Sequence, residues 1–505
     1  MKKLFALLPF VALLFVACED DDEGTAMQME EPVVITSGSA DFTNYVALGN
    51  SLTAGFSDNA LFAMGQEASF PNMLASNFAL AGGGDFTIPF MADDLGGATL
   101  GGMQILGNRL ILSFVTGSPT PVPVDTMTFG TEISQTLTGP FNNMGVPGAK
   151  SYHLLAPGYG NVLGVAAGTA NPYYARFASS PDATILGDAA AQSPSFFSLW
   201  IGNNDVLGYV TAGGAGADQT GNLDPSTYAG PDISDPNVVA GSIDAILQTM
   251  TSNGAQGVIA NLPDVTSIPF LTTVPYNPVP LDQATANVLN EAYAAYNGGL
   301  QLAAAPVAAG GLGLITPEEA ARRTIVFQAG ATNAAVMIDE DLTDLTFVNP
   351  ALINMRQTTP EDLIVLPASS FIGTLANPTD PTSINGVAIP LSDQWVLTPE
   401  EQQVANTALE AYNQLILGLS QQYDLAFVDA NALLIELRDS GFALSDGSVV
   451  TADFGTGGGF SLDGVHPSPR GYAILANAFV DAINAKYGSN LPGVDPLDFT
   501  GLYIN

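Results

Sequence analysis

Short apolar runs recur along the chain, at Tyr45–Leu48, Phe196–Ile201, Gly257–Ala260 and Leu425–Val428. Runs without polar alternation read as strands buried on both faces, the pattern of a parallel sheet. Between them the period lengthens to that of a helix. Asp235 can cap one helix, with Pro236 at its first position and Val239, Ile243, Ile246, Leu247 and Met250 on one face; Gly254 can close it before the strand GVIANLP. Another opens at Ser468 and Pro469 and carries Tyr472, Leu475, Ala476, Phe479 and Ile483 on one side. Both stripes are core faces. Strands alternating with helices predict an α/β fold with a parallel sheet and helical crossovers.

The alternation fails between about 300 and 400, where short β-like pieces such as RTIVFQAG and EDLIVLPASSF stand among Pro and Gly. This stretch reads as an insertion that either covers a site or decorates the sheet. The similar segments ANVLNEAY (Ala286–Tyr293) and ANTALEAY (Ala405–Tyr412) are one short match, which reads as two amphipathic helices built from the same good helix formers rather than a repeat. The Gly/Pro-rich loops TAGGAGADQTGN and VPYNPVP are candidates for shaping a pocket.

The first residues change the picture of where the fold begins. Lys2 and Lys3 precede an apolar run, Leu4–Ala17, too short to span a bilayer comfortably and ending in a small residue before Cys18. Cys18 is the only cysteine, so it makes no internal disulfide and no cysteine metal site. The segment resembles a bacterial lipoprotein signal, which implies a cleaved leader 1–17, a diacylated Cys18 and a lipid anchor in the outer membrane. The acidic run Glu19–Glu23 reads as a solvated tether and also resembles the surface-export signal of Bacteroidetes-type lipoproteins. Residues 18–43 then read as a linker, 44–490 as the folded domain and 491–505 as a tail.

Charge excludes one class of partner. The chain holds 49 Asp and Glu against 11 Lys and Arg, for a net charge of −38. It has no basic cluster to neutralise phosphates, so nucleic acid is not expected as a partner. The acidity reads as solubility in an external or saline medium.

Histidine arithmetic narrows the chemistry further. Only His153 and His466 are present, so any imidazole general base is one of these two. His466 follows Asp463 by three residues in SLDGVHPSPRGY, just before the last helix. On one short loop the carboxylate can accept from one ring nitrogen and leave the other free to take a proton. His153, in KSYHLLAPG, has no carboxylate nearby in sequence and reads as structural or as a pocket wall. In LWIGNNDVLGY, Gly202-Asn203-Asn204-Asp205 ends an apolar run. That places Asn204 at the carboxyl edge of the sheet, where ligands bind in such folds and where its amide can donate to an oxyanion. In NMGVPGAKSYHLL, Gly148 allows close backbone approach to a ligand. The acidic group Asp339, Glu340, Asp341 and Asp344 lacks the spacing of an EF-hand loop and reads as a solvated turn.

Taken in chain order, Gly49-Asn50-Ser51-Leu52, Gly148, Gly202-Asn203-Asn204-Asp205 and Asp463-Gly464-Val465-His466 resemble the four blocks of the SGNH, or GDSL, hydrolase family. The resemblance implies a three-layer α/β/α sandwich with a parallel sheet of about five strands. It also implies hydrolysis of esters without metal or other cofactor: Ser51 as nucleophile, His466 as base, Asp463 as its support, and an oxyanion hole from the Ser51 and Gly148 N–H groups and the Asn204 side chain. The rate is then expected to rise with pH as His466 loses its proton. Asn50 stands where that family has Asp. The chain lacks Gly at 53 and so does not match the Gly-x-Ser-x-Gly elbow of α/β-hydrolases. The expected partner is an ester substrate, lipid or general carboxylester first and an acetylated carbohydrate second. The alternative of another class is a non-catalytic surface lipoprotein that binds a glycan or protein.

Overall fold

The computed structural model describes residues 34–115, 119–125 and 127–504. The expected leader, Cys18, the acidic run and most of the linker lie outside the described residues. The compact unit begins at Ile35, ahead of Tyr45. Ser39 N–H donates to the Tyr487 carbonyl at 2.8 Å, and Phe42 stacks on Phe78 with ring centroids 4.0 Å apart.

Five strands form the central sheet: β1 Tyr45–Gly49, β2 Asn143–Gly145, β3 Phe196–Trp200, β4 Gln256–Ala260 and β5 Ala426–Val428, in the order β5-β4-β3-β1-β2. Every pairing is parallel, and β1 matches β3 residue for residue from Tyr45↔Phe196 to Gly49↔Trp200. Leu48, Leu199 and Val258 are fully buried, as uninterrupted apolar strands covered on both faces require. β2 is the strand the hydrophobic pattern did not announce. It has three residues, Asn-Met-Gly, and no β-branched side chain.

Eight helices matter for the site: α1 Ser51–Ala54, α2 Phe70–Leu80, α3 Asn204–Thr211, α4 Pro236–Thr251, α5 Gln283–Ala304, α6 Pro399–Gln422, α7 Ala430–Asp439 and α8 Pro469–Tyr487. α2 and α8 pack together on one side of the sheet, with Phe70 stacked on Phe479 at 4.6 Å and Trp200 beneath them. α4 and α6 pack together on the other. The expected α/β/α sandwich is the observed architecture. Both predicted helix starts form: Asp235 accepts from the N–H groups of Asn237 and Val238, and Ser468 Oγ accepts from Gly471 N–H. No helix of the described residues is long and apolar enough to cross a membrane.

The insertion differs from expectation in extent and in content. It has its own core, which starts at Val279 and takes in Leu289, Tyr293 and Leu300 of α5 before reaching Val387, so it begins well before residue 300. RTIVFQAG forms no strand. Ile325 and Phe327 are buried, but their backbone pairs with side chains: Asn297 bonds both N–H and C=O of Ile325, and Asn290 does the same for Phe327, at 2.8–3.0 Å. Two asparagines seven residues apart on α5 thus replace a neighbouring strand. A further region of small ribbons lies between α2 and β2, including Leu110–Ser113 paired with Thr120–Pro123. The chain end closes on it, with Tyr503 against the Arg109 guanidinium.

Candidate active site

The strand order sets the site before any side chain is considered. β2, β1 and β3 are adjacent and parallel, so the segments leaving their carboxyl ends emerge side by side, carrying Gly148, Ser51 and Asn204 respectively. Gly49 makes the exit of β1 tight, because a Cβ there would overlap the Trp200 carbonyl and Thr53. Asn50 then caps α1, its Oδ1 accepting from Leu52 N–H at 3.0 Å, and Ser51 is the first helical residue. The other arm of Asn50, Nδ2, donates to Asn203 Oδ1 at 3.0 Å. An Asp at 50 would keep the cap and lose this donor. In this chain the position joins the turns after β1 and β3 through a neutral amide pair.

The loop Asp463–His466 approaches from the start of α8. His466 Nε2 lies 2.8 Å from Ser51 Oγ, and His466 Nδ1 lies 2.9 Å from Asp463 Oδ2. Ser51 is 6% exposed. Asp463 Oδ1 accepts from the N–H groups of Val465 and His466, both at 2.8 Å, and Oδ2 accepts from Asn59 N–H at 2.9 Å. Burial opposes the Asp463 charge, but His466 and these backbone donors outweigh it and hold the carboxyl at about 2. It therefore stays ionised beside the imidazole. Phe56 covers the His466 ring at 4.6 Å between centroids.

Sequence reasoning missed the strap that holds this loop. Asp58 and Asn59 both adopt left-handed backbone angles, φ 49° and 64°. In that turn Asp58 N–H donates to Ser461 Oγ, Asp58 Oδ1 accepts from Leu462 N–H, and Asn59 reaches Asp463. The available signal was the Asp-Asn pair itself, two of the residue types that best tolerate this conformation.

The oxyanion candidates are arranged from two sides. Asn204 Nδ2 donates to the Ala149 carbonyl at 2.8 Å, which fixes the amide and leaves its second hydrogen available. Asp205, fully buried, accepts from Ser151 N–H at 2.8 Å and Ser151 Oγ at 3.0 Å, and so ties the Gly148 loop to α3. Gly148 has φ +80°, a Cβ there would stand 3.9 Å from Asn171 Nδ2, and among the described residues no acceptor meets its N–H.

Asn204, Ser51 and His466 line a cavity of ≈ 90 Å³ whose other walls are mostly apolar, among them Leu207, Ile268, Leu434, Phe460 and Ile474. Gly148 borders a second groove, of ≈ 1060 Å³, together with Tyr152, His153, Tyr159 and Tyr228. Here His153 is a wall and a cap: its Nδ1 accepts from Lys150 N–H at 3.0 Å and its ring stacks on Tyr159. Burial, helped by the Lys150 charge, pushes it down to about 4. Neither of the loops TAGGAGADQTGN and VPYNPVP lines the cavity at Ser51.

No protein-family model and no curated protein matches the chain. Solved structures similar to it include one described as a GDSL-like lipase from Parabacteroides merdae, at 11% identity, with 89% of this chain and 100% of that chain covered and a TM-score of 0.30. An acetylxylan esterase from Geobacillus stearothermophilus is similar at 10% identity over 90% and 98%, with a TM-score of 0.30. An extracellular lipase from Streptomyces rimosus is similar at 10% over 88% and 99%, with a TM-score of 0.30.

Proposed function

We propose that the protein is a serine ester hydrolase of SGNH type that works through an acyl-enzyme on Ser51. The observation that carries this reading is the continuous line Ser51 Oγ–His466 Nε2 at 2.8 Å and His466 Nδ1–Asp463 Oδ2 at 2.9 Å. Ser51 Oγ attacks the ester carbonyl while His466 Nε2 takes its proton, and the ionised Asp463 stabilises the imidazolium. The oxyanion receives hydrogen bonds from Ser51 N–H, Gly148 N–H and the free amide hydrogen of Asn204. Collapse breaks the ester C–O bond, and the alcohol leaves with the proton from His466. Water, deprotonated by the same ring, then releases the acid and restores Ser51.

The apolar cavity at Ser51 supports an apolar acyl chain of several carbons. With nitrophenyl esters of graded length, kcat/KM is expected to rise by about fourfold per added CH₂ over the first few carbons, from about 0.8 kcal/mol for each buried methylene. The groove beside Gly148 favours a second reading, an acetylated carbohydrate whose sugar rings lie against Tyr152, Tyr159 and Tyr228. A maximum at the acetyl ester with faster release of acetate from an acetylated polysaccharide would replace the first reading with the second. The proposal extends to an outer-membrane tether through a lipidated Cys18. Incorporation of labelled palmitate that disappears in Cys18→Ser checks it, and equal labelling of both proteins would contradict it.

A further inference from the structure

Far from Ser51 in sequence, three carboxylates converge from separate segments. Glu340 follows the insertion strand Val336–Ile338, Asp393 sits in the short turn Asp393–Trp395, and Glu401 lies in the first turn of α6. One oxygen of each lies within 4.8 Å of the others. Among the described residues no Lys, Arg or His pairs with any of the three. Arg322 reaches Glu400 instead, and Arg356 is taken by Asp339 and Asp362 in a buried triad at 2.5–2.7 Å. Asp344 accepts from Thr346. The acidic stretch 339–344 is therefore not one solvated turn. Asp339 anchors it, and Glu340 is delivered toward α6.

The orientation of Glu401 is the second observation. It is 5% exposed. Its Oε2 closes the helix cap, accepting from Thr398 N–H at 2.7 Å and Thr398 Oγ1 at 2.9 Å. Its Oε1 is buried and meets no donor, a costly arrangement for a carboxylate oxygen. The backbone at Gly214 closes over it, since a Cβ there would overlap this carboxyl. We propose that Glu340, Asp393 and Glu401 bind a divalent cation, calcium by preference, which pins the insertion to the start of α6. All the donors are hard oxygens. Ca²⁺ accepts a cage of protein oxygens in flexible geometry, whereas Mg²⁺ dehydrates reluctantly and keeps several waters.

The test uses the folded protein, treated with EDTA and dialysed, titrated with CaCl₂ in a calorimeter at pH 7.5 and followed by thermal unfolding. One Ca²⁺ per chain is expected, with a rise in Tm that equal MgCl₂ reproduces by less than half. Glu340→Gln is the first variant, because Glu340 is exposed and among the described residues its side chain bonds only within the cluster. Glu340→Gln and Asp393→Asn should each weaken calcium binding about tenfold or more. Absence of heat and of a Tm shift at millimolar Ca²⁺, with stability that instead rises as pH falls, would overturn the proposal in favour of a shared proton. Equal calcium affinity in wild type and both variants would overturn it by placing the ion elsewhere.

Discussion

Asn204 shows how the site is built at the scale of single residues. Its amide is held by the Ala149 carbonyl, so its second hydrogen is oriented before substrate arrives, the condition under which the proposed oxyanion donor lowers a barrier. Asn204→Ala should lower kcat by about 10²–10³-fold with little change in KM, read from initial rates on a short-chain ester. A change confined to KM would place Asn204 in ground-state binding instead. The line Ser51–His466–Asp463 was legible because histidine is scarce and Asp-x-x-His is local. The Asn59 N–H that completes Asp463 was not legible, since a backbone donor supplied across the fold leaves no mark in the side-chain sequence.

At the scale of elements, two short loops from opposite ends of the chain are laced together, 56–59 after α1 and 461–466 before α8. Asp58 is the buried pin between them. Burial, with a further push from Asp463, raises its carboxyl to about 7. The unfolded chain ionises near 3.9, so between about 4 and 7 the folded state retains a proton that the unfolded state has released. Stability from this group therefore falls as pH rises through that window. Asp58→Asn keeps the acceptor for Leu462 N–H and suits the left-handed backbone. It should raise Tm at pH 8 and change it little at pH 4.5, measured by thermal unfolding. A loss of stability at pH 8 would show that the charge itself holds the loop. Strands were legible where their residues were apolar. β1, β3, β4 and β5 stand out as apolar runs, while β2 is Asn-Met-Gly with a single large apolar side chain. RTIVFQAG, apolar enough for a strand, had its pairing taken by Asn290 and Asn297 of a helix that no local pattern links to it.

Across the whole molecule, a five-stranded parallel sheet brings the ends of β2, β1 and β3 together, and the turn before α8 brings Asp463 and His466 to Ser51 from more than 400 residues away. The α/β class followed from the alternation of periods. The extent of the insertion did not, because its core recruits α5, and an apolar stripe on a helix does not say which core it faces. The proposed function requires that this assembly make Ser51 a nucleophile. Intact-mass analysis after exposure to a fluorophosphonate probe tests it most directly. A single phosphonyl adduct is expected on wild type, located to Ser51 by peptide mapping and absent in Ser51→Ala. A well-folded wild type that takes no adduct, or a Ser51→Ala variant labelled to the same extent, would contradict it.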